Sequence, residues 1–447
     1  MKRQPSSTGG MLIVAWIVAM LEGFDLSVYG VTVPSLIGTA SLGIGPSEAG
    51  HIGSLVGLGM LVGAGVAGAI VHRVGPRRLL IFSTALFSAG MLVSTVAVDA
   101  TWFSAGRLIV GLGLGVVMPT LNAYVADLSV PGRRSRHIAL MMSGYAAGAM
   151  LAPLLGAMLL PESSFRLLYV IGVVPALIAV PLLVRLPESP FHLRRSGQFG
   201  VAAMIEQRFG LSASVAVVGT AAGSSVADPS RWFGVRELLV GGRAISTALF
   251  WAMSFCGLLL VFGISAWLPS IMRAAGYSLG SALLQTAAMW SGVFVGVIVG
   301  GRVADALGPK RVVVSAFLVG TVSLVLMSLG PATPLLFALM FISGFGFIGS
   351  QILGNAFILT TYPDDLRSSG LAWALSVGRL GAIVGPTLGA FVLAHATVVE
   401  WNFYTFAVVG LIGATAAASV PRIVGHRAAA TGQSAVLDAA SSRPAIN

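Results

Sequence analysis

Two acidic side chains interrupt an apolar stretch near the start of the chain. Glu22 and Asp25 are three residues apart, and Tyr29 follows four residues later, so a helix would place all three on one face. Two close carboxyl groups in a medium of low dielectric constant cannot both ionise at low cost, so one of them should bind a proton near neutral pH. This spacing predicts proton coupling. The alternative is a buried ion pair with Arg107 that only fixes two helices.

Two arginines, Arg107 and Arg379, also lie within apolar runs, one in each half of the chain. A guanidinium group can hold a carboxylate through two parallel hydrogen bonds. One arginine from each half could therefore bind an anionic substrate. For Arg107 the alternative is the ion pair with Glu22 or Asp25. For Arg379 it is a place near a helix end, where the side chain would serve gating.

The composition indicates that these residues lie in a membrane protein. Only 9% of the 447 residues are charged and 56% are apolar, which excludes a large soluble domain and a disordered chain. We predict an all-α polytopic membrane protein with twelve transmembrane helices. The predicted spans are 11–37, 49–71, 79–98, 102–126, 137–160, 166–184, 244–272, 281–303, 312–330, 334–361, 369–394 and 402–420.

The spans divide six and six. We predict a tail over 1–10, a first bundle over 11–184, a central loop over 185–243, a second bundle over 244–420 and a tail over 421–447. The first apolar run is too long for a signal peptide and is interpreted as a retained helix. Arginine and lysine concentrate in alternate loops, so the positive-inside rule makes that side and both termini cytoplasmic. This placement accounts for the net charge of +11 without a nucleic-acid partner.

An internal repeat supports two bundles of the same orientation. At a fixed offset of 233 residues, Gly75-Pro76-Arg77 matches Gly308-Pro309-Lys310, and Asn122 matches Asn355. Two parallel repeats are typical of transporters in which the substrate site lies between the halves near the midplane.

The repeated loops resemble the glycine- and arginine-rich motif of the major facilitator superfamily. This resemblance assigns gating to residues of the two loops and of one nearby helix end: Gly68, His72, Arg73, Gly75, Arg77, Asp127, Asp305, Gly308 and Arg311. The acidic motif position is Asp305 in the second half but His72 in the first. The substitution is interpreted as drift or, alternatively, as a pH-sensitive latch.

Shorter motifs narrow the resemblance to the aromatic acid:proton symporter family. They are Glu22-Gly23-Phe24-Asp25, Trp267-Leu268-Pro269, Gly378-Arg379-Leu380-Gly381 and, less specifically, Pro187-Glu188-Ser189-Pro190. The resemblance implies the major facilitator fold and the import of small aromatic carboxylates with protons across a bacterial cytoplasmic membrane. It agrees with the roles expected above for the acidic pair and the arginines.

Polar and aromatic residues could hold the ring of such a substrate. Asn122, Gln351 and Asn355 could bond a ring hydroxyl, or they could bond across helices. Trp251, Phe255, Trp267 and Trp290 could stack on the ring, although Trp267 and Trp401 fit a membrane interface better. The histidines and the one cysteine show no metal-ligand spacing, and no nucleotide-binding or hydrolase motif is present, so no metal, cofactor or enzymatic activity is expected.

The sequence thus predicts a proton symporter that functions as a monomer in the bilayer. Two alternatives remain at this point: a proton-driven exporter of small organic compounds, and a membrane sensor of aromatic acids without net transport. The substrate and the proton stoichiometry are not determined by the sequence.

Overall fold

The computed structural model describes residues 8–37, 39, 42–160, 162–211, 235–240, 242–363 and 366–421, without the side chains at 131, 297, 298, 300–302 and 305. Most of both predicted tails, and residues 212–234 and 241 of the predicted central loop, therefore lie outside the described residues, whereas 8–10 belong to the first helix. Every regular element in the described part is a helix.

Twelve long helices form two halves of six. The N half contains α1 (Thr8–Ile37), α2 (Pro46–Val74), α3 (Pro76–Val96), α4 (Ala100–Asp127), α5 (Arg134–Leu159) and α6 (Arg166–Arg185). Three short helices follow: α7 (Pro190–Arg195), α8 (Phe199–Phe209) and α9 (Val235–Leu239). The C half contains α10 (Ala244–Ala274), α11 (Leu279–Leu307), α12 (Pro309–Met327), α13 (Thr333–Thr361), α14 (Arg367–His395) and α15 (Glu400–Ser419).

The long helices are apolar enough to cross a bilayer, and each overlaps one predicted span. A helix satisfies its backbone N–H and C=O groups internally, as the hydrocarbon core requires because it offers no hydrogen-bonding partners. Their outward faces expose large apolar side chains such as Phe82, Leu177 and Leu411, as lipid contact requires. The prediction of a twelve-helix polytopic membrane protein is confirmed.

The turns of the repeat have nearly the same backbone in both halves. Gly75, between α2 and α3, has φ of 90°, and Gly308, between α11 and α12, has φ of 86°. Residues with a side chain rarely adopt this conformation, so both turns need glycine. After each turn a cation caps a helix end: Arg77 donates to the carbonyls of Leu183 and Val184, and Lys310 donates to Val420 at 2.7 Å.

The halves meet mainly through α2 against α14, α5 against α11, and α1 against α10. We call the end of the bundle that carries Arg77 and Lys310 the arginine-rich side, and the other end the arginine-poor side. Towards the arginine-poor side, the hydroxyls of Ser54 and Thr387 are 2.6 Å apart across the halves. Gly57 packs so closely on α14 that a Cβ there would lie 2.9 Å from the Ala382 carbonyl carbon. The halves are therefore closed at this side.

Two glycines towards the other end of α2 have no close neighbour in the described part of the chain. A Cβ at Gly65 or Gly68 would meet no described atom within 4 Å. On α14, Trp373 and Arg379 are only partly buried. The halves thus separate towards the arginine-rich side, and Gly68 borders open space in this state.

Candidate functional site

A buried ion pair joins α1 to α4. Arg107 donates from one terminal nitrogen to Asp25 at 2.7 Å and from the other at 3.4 Å. Asp25 is 0% exposed and Arg107 is 1% exposed. Burying either charge alone in the membrane would be costly, so each requires the other. In this state the guanidinium fork of Arg107 is occupied by Asp25.

Aromatic rings surround this ion pair within the N half. The guanidinium carbon of Arg107 lies 5.2 Å from the ring centre of Tyr29 and 6.0 Å from that of Tyr169, which are cation–π distances. The Tyr29 hydroxyl donates to the carbonyl of Ala49 on α2, and the Tyr169 hydroxyl lies 3.1 Å from that of Thr32. Tyr29 therefore supports Arg107 and ties α1 to α2.

The second acid, Glu22, faces the other half. It is 3% exposed, and its Oε2 has no hydrogen-bond partner in the described part of the chain. The charges that act on it are those of Asp25 on its own helix and Arg379 on α14. No ion pair within 4.0 Å joins Glu22 to Arg379, since the described residues contain only the pairs Arg107–Asp25 and Arg194–Glu206. Of the two acids of α1, Asp25 therefore pairs within the N half, whereas Glu22 is influenced by a charge of the C half.

Arg379 lies deep in the bundle rather than at a helix end. It is twelve residues after the first residue of α14, which corresponds to about 18 Å along the helix axis. Glu22 is fourteen residues after the first residue of α1, about 21 Å along that axis. The two side chains thus lie at similar depths, near the middle of their helices, in opposite halves.

Two aromatic pairs lie on helices that contact the other half. Tyr145 of α5 and Trp290 of α11 meet across the halves with ring centres 6.4 Å apart at 73°. Trp251 of α10 and Trp373 of α14 meet within the C half at 6.1 Å and 36°. The indole nitrogens of Trp251 and Trp290 are buried without a hydrogen-bond partner among the described residues.

The interfacial interpretation of Trp267 is wrong. This side chain is 0% exposed, and its indole nitrogen donates to the carbonyl of Pro386 at 2.7 Å. It joins α10 to α14 inside the C half. Trp401 is 55% exposed, as an interfacial residue should be.

The three candidate amides have different surroundings. The Asn122 side chain donates to Met118 on its own helix at 2.9 Å. Gln351 lies beside Gly257 of α10, close enough that a Cβ there would meet its Oε1. The Oδ1 atom of Asn355 is buried and has no partner in the described part of the chain. Thus the two repeat mates differ: Asn122 is turned to its own backbone, whereas Asn355 has an unused acceptor.

A hydrogen-bonded cluster holds the arginine-rich end of the N half. Glu188, just after α6, accepts the backbone N–H of Arg77 at 3.0 Å and that of Ser189 at 3.0 Å. The Ser189 hydroxyl donates to Asp127 at the end of α4 at 2.6 Å. The Tyr124 hydroxyl donates to the carbonyl of Pro187 at 2.6 Å. We call Arg77, Tyr124, Asp127, Glu188 and Ser189 the N-half cluster.

The other gating candidates are not members of the N-half cluster. His72 is partly buried in the last turn of α2, and Arg73 and Arg311 are exposed. The side chain of Asp305 lies outside the described residues. Sequence reasoning does not identify Glu188 and Ser189 as cluster members, although both belong to the motif Pro187-Glu188-Ser189-Pro190. One signal could have found them. Gly75, which precedes α3, has no side chain to cap that helix, so the N–H groups at its N-terminus need an acceptor from elsewhere in the chain.

Two six-helix halves that are closed at one side and separated at the other, with buried charges between them, define a membrane transporter of the alternating-access class. The family model described as Major Facilitator Superfamily matches residues 15–300 and 280–443. The benzoate transport protein of Acinetobacter baylyi is 31% identical over 413 residues, covering 90% of this chain and 87% of that protein.

The gentisate transporter of Corynebacterium glutamicum is 30% identical over 416 residues, covering 92% of this chain and 87% of that protein. A partially occluded inward-open structure of the xylose transporter XylE from E. coli has a TM-score of 0.72 at 18% identity, covering 92% of this chain and 98% of that one. That likeness shows the fold. The chain belongs to the major facilitator superfamily and, within it, to the family of aromatic acid transporters.

Proposed function

We propose that this protein imports small aromatic carboxylates together with protons, as a monomer in a bacterial cytoplasmic membrane. The observation that carries the proposal is the arrangement of two acids and two arginines: Asp25 with Arg107, and Glu22 facing Arg379 of the other half. Relatives named for the transport of benzoate and of gentisate support the substrate class.

The substrate carboxylate binds at Arg379 in this proposal. Arg379 has no ion pair within 4.0 Å among the described residues, so its guanidinium fork is available to an anion. When Glu22 is ionised it competes for the same positive charge. Protonation of Glu22 removes that competitor, so proton binding and substrate binding favour each other.

Asp25 carries the coupled proton, assisted by Glu22. Protonation of Asp25 weakens its bond to Arg107 and frees one guanidinium fork in the N half. The substrate carboxylate then replaces Asp25 as the partner of Arg107, while Arg379 holds it from the C half. An anion held by one arginine from each half would bind more tightly when the halves are close together. This difference in affinity between the two conformations is what drives a conformational change.

The charge distribution supports an orientation of the chain in the membrane. We infer that the arginine-rich side is cytoplasmic, with both termini on that side. The structure then corresponds to an inward-facing state, closed outside by α2 against α14. The N-half cluster and the turns at Gly75 and Gly308, together with His72, Arg73, Asp305 and Arg311, would regulate the cytoplasmic opening. Tyr29 would position Arg107, and Asn122, Gln351 and Asn355 would contact the substrate.

Uptake by the purified protein in liposomes tests the proposal. Labelled benzoate should accumulate when the outside is more acidic than the lumen, and collapse of the pH gradient should stop accumulation. A competition panel of benzoates, cinnamates, phenylpropionates and aliphatic acids defines the substrate class. Inhibition only by aliphatic acids would contradict it. Accumulation under the opposite gradient alone would indicate an exporter, and binding without uptake would indicate a sensor.

A further inference from the structure

The C half contains a second group of residues with unused hydrogen-bonding capacity, separate from the charged site. The indole N–H of Trp251 is a buried donor without a partner among the described residues, and Oδ1 of Asn355 is a buried acceptor without one. A buried polar atom without a partner is unfavourable, and a bound ligand is one partner that can satisfy it. A donor and an acceptor together suit a group that both accepts and donates.

These residues lie at one depth in the bundle. Trp251 is seven residues after the first residue of α10, and Trp373 is six residues after that of α14. Asn355 is six residues before the last residue of α13. All three are therefore about 9–11 Å along their helices from the arginine-rich side.

Contacts between helices support this common level. Phe250 of α10 and Phe357 of α13 have ring centres 5.1 Å apart, and a Cβ at Gly354 would lie 3.1 Å from the Met253 methyl. This antiparallel register places Trp251 and Asn355 within one helical turn of each other. The ring contact of Trp251 with Trp373 adds α14 to the same level.

The group lies between Arg379 and the arginine-rich side. Arg379 is six residues further along α14 than Trp373, which is about 9 Å deeper. A benzoate whose carboxylate is bound at Arg379 has its ring, and a substituent opposite the carboxylate, within that interval. Trp251 and Trp373 offer it apolar ring surfaces.

We propose that Trp251, Trp373 and Asn355 form a subsite for the ring of the substrate and for a hydroxyl group opposite its carboxylate. The hydroxyl donates to Oδ1 of Asn355 and accepts from the indole N–H of Trp251. The inference rests on the proposed function, because it assumes an aromatic carboxylate held at Arg379. It adds a rule of specificity, namely preference for a para-hydroxyl over an unsubstituted ring.

Four related acids test this rule with the protein in liposomes under an inward proton gradient. Benzoate lacks the hydroxyl, para-methoxybenzoate can only accept, and the hydroxyl of ortho-hydroxybenzoate donates to its own carboxylate. The half-saturating concentration for para-hydroxybenzoate should therefore be about tenfold below those for the other three acids, the expected effect of one or two hydrogen bonds.

Two variants separate the subsite from general packing. Trp251→Phe keeps a ring and removes the donor, and Asn355→Leu keeps the volume and removes the acceptor. Each should raise the half-saturating concentration for para-hydroxybenzoate more than that for benzoate, so that the tenfold ratio between the two acids falls towards one. Trp401→Phe, at an exposed position, is the matched control and should transport all four acids as the wild type does.

Equal half-saturating concentrations for benzoate and para-hydroxybenzoate in the wild-type protein would overturn the subsite and leave the proposed function intact. The same holds if both variants weaken all four acids equally, because the residues would then act only by packing. Absence of uptake of every aromatic acid would overturn the proposed function and the subsite with it.

Discussion

The N half and the C half satisfy their buried polar groups in different ways. In the N half, Asp25 and Arg107 pair within the half, and the N-half cluster is held by hydrogen bonds within the half. In the described part of the chain, nine side chains on the long helices of the C half have a buried polar atom without a partner, against five in the N half. Five of the nine are on α10: Ser246, Trp251, Ser254, Ser265 and Ser270. The two halves therefore share one helix arrangement but differ in how far their buried polar atoms are paired internally.

This difference suggests a division of labour. An ion pair that can be broken by one proton suits coupling, and it needs a partner held in place. Unused donors and acceptors suit a ligand that arrives and leaves, because no internal partner has to be displaced first. Variants in each half should accordingly produce different transport defects.

The largest effect is expected for Asp25→Asn in the N half. The amide cannot carry the proton, and Arg107 loses its buried counter-charge, a change that costs about 3–5 kcal/mol in other proteins. Uptake driven by a pH gradient should fall at least about 100-fold. Initial rates with and without the gradient measure this loss.

Glu162→Gln, at an exposed position, is the control and should transport as the wild type does. Asp25→Glu keeps the charge and should retain partial activity, which separates loss of coupling from loss of folding. Full gradient-driven uptake by Asp25→Asn would remove Asp25 from the coupling mechanism.

A smaller effect of a different kind is expected for Arg379→Gln in the C half. Loss of a charge-assisted hydrogen bond to the substrate carboxylate should raise KM about tenfold to 100-fold. Uptake should still depend on the pH gradient, because the Asp25–Arg107 pair is intact. Measurement of KM at a saturating gradient checks the first point, and initial rates with and without the gradient check the second. An unchanged KM would move the carboxylate away from Arg379.

The matched N-half variant is Arg107→Lys. A lysine keeps the charge but cannot hold Asp25 through two parallel bonds. The proposal expects a raised half-saturating concentration or no binding. Unchanged binding of carboxylates would restrict Arg107 to its structural role as the partner of Asp25.

The sequence was sufficient for the frame of the molecule. The twelve spans follow from long apolar runs, and the repeat at offset 233 predicted two turns that indeed need glycine at 75 and 308. The depth of Glu22, Asp25 and Arg107 also followed from their positions in those runs. These features depend on local pattern, which a single sequence contains.

The partners of the charged residues could not be predicted in the same way. Two interpretations of Arg107 were open, and only the packing of α1 on α4 pairs it with Asp25. The burial of Trp267 depends on α14, 119 residues away in sequence. Helix rotation and long-range packing decide such contacts, and hydropathy does not report either of them.

A modest loss of stability is expected for Glu188→Gln in the N-half cluster. Glu188 accepts two backbone N–H groups, one of them at the N-terminus of α3, where a negative charge is favourable. Removing the charge should cost about 1 kcal/mol and lower Tm by about 2 °C. The C-half counterpart, Lys310→Met, loses only one hydrogen bond to Val420 and should change Tm less. A larger shift in Tm for Lys310→Met would contradict the view that hydrogen bonds stabilise this end of the N half more than that of the C half.

The smallest effect concerns the closed contact between the halves. The Ser54 hydroxyl lies 2.6 Å from that of Thr387 and also contacts the carbonyl of Ile383. The repeat mates of Ser54 and Thr387, at the contact of α5 with α11, are Ala287 and Leu154, which cannot form such a bond. Ser54→Ala should therefore weaken closure on the arginine-poor side by about 1 kcal/mol, a roughly fivefold shift in population.

A cysteine at position 390 would report this shift, because Ala390 is buried against Gly50 in the closed contact. In a Cys256→Ser, Ala390→Cys background, an impermeant maleimide should react several times faster once Ser54→Ala is added. Ser376→Ala is the matched control, since the Ser376 hydroxyl bonds only within its own helix. Equal labelling rates with and without Ser54→Ala would mean that shape alone closes α2 on α14. The two contacts between the halves would then be equivalent, and the asymmetry of the molecule would be confined to its charged and aromatic interior.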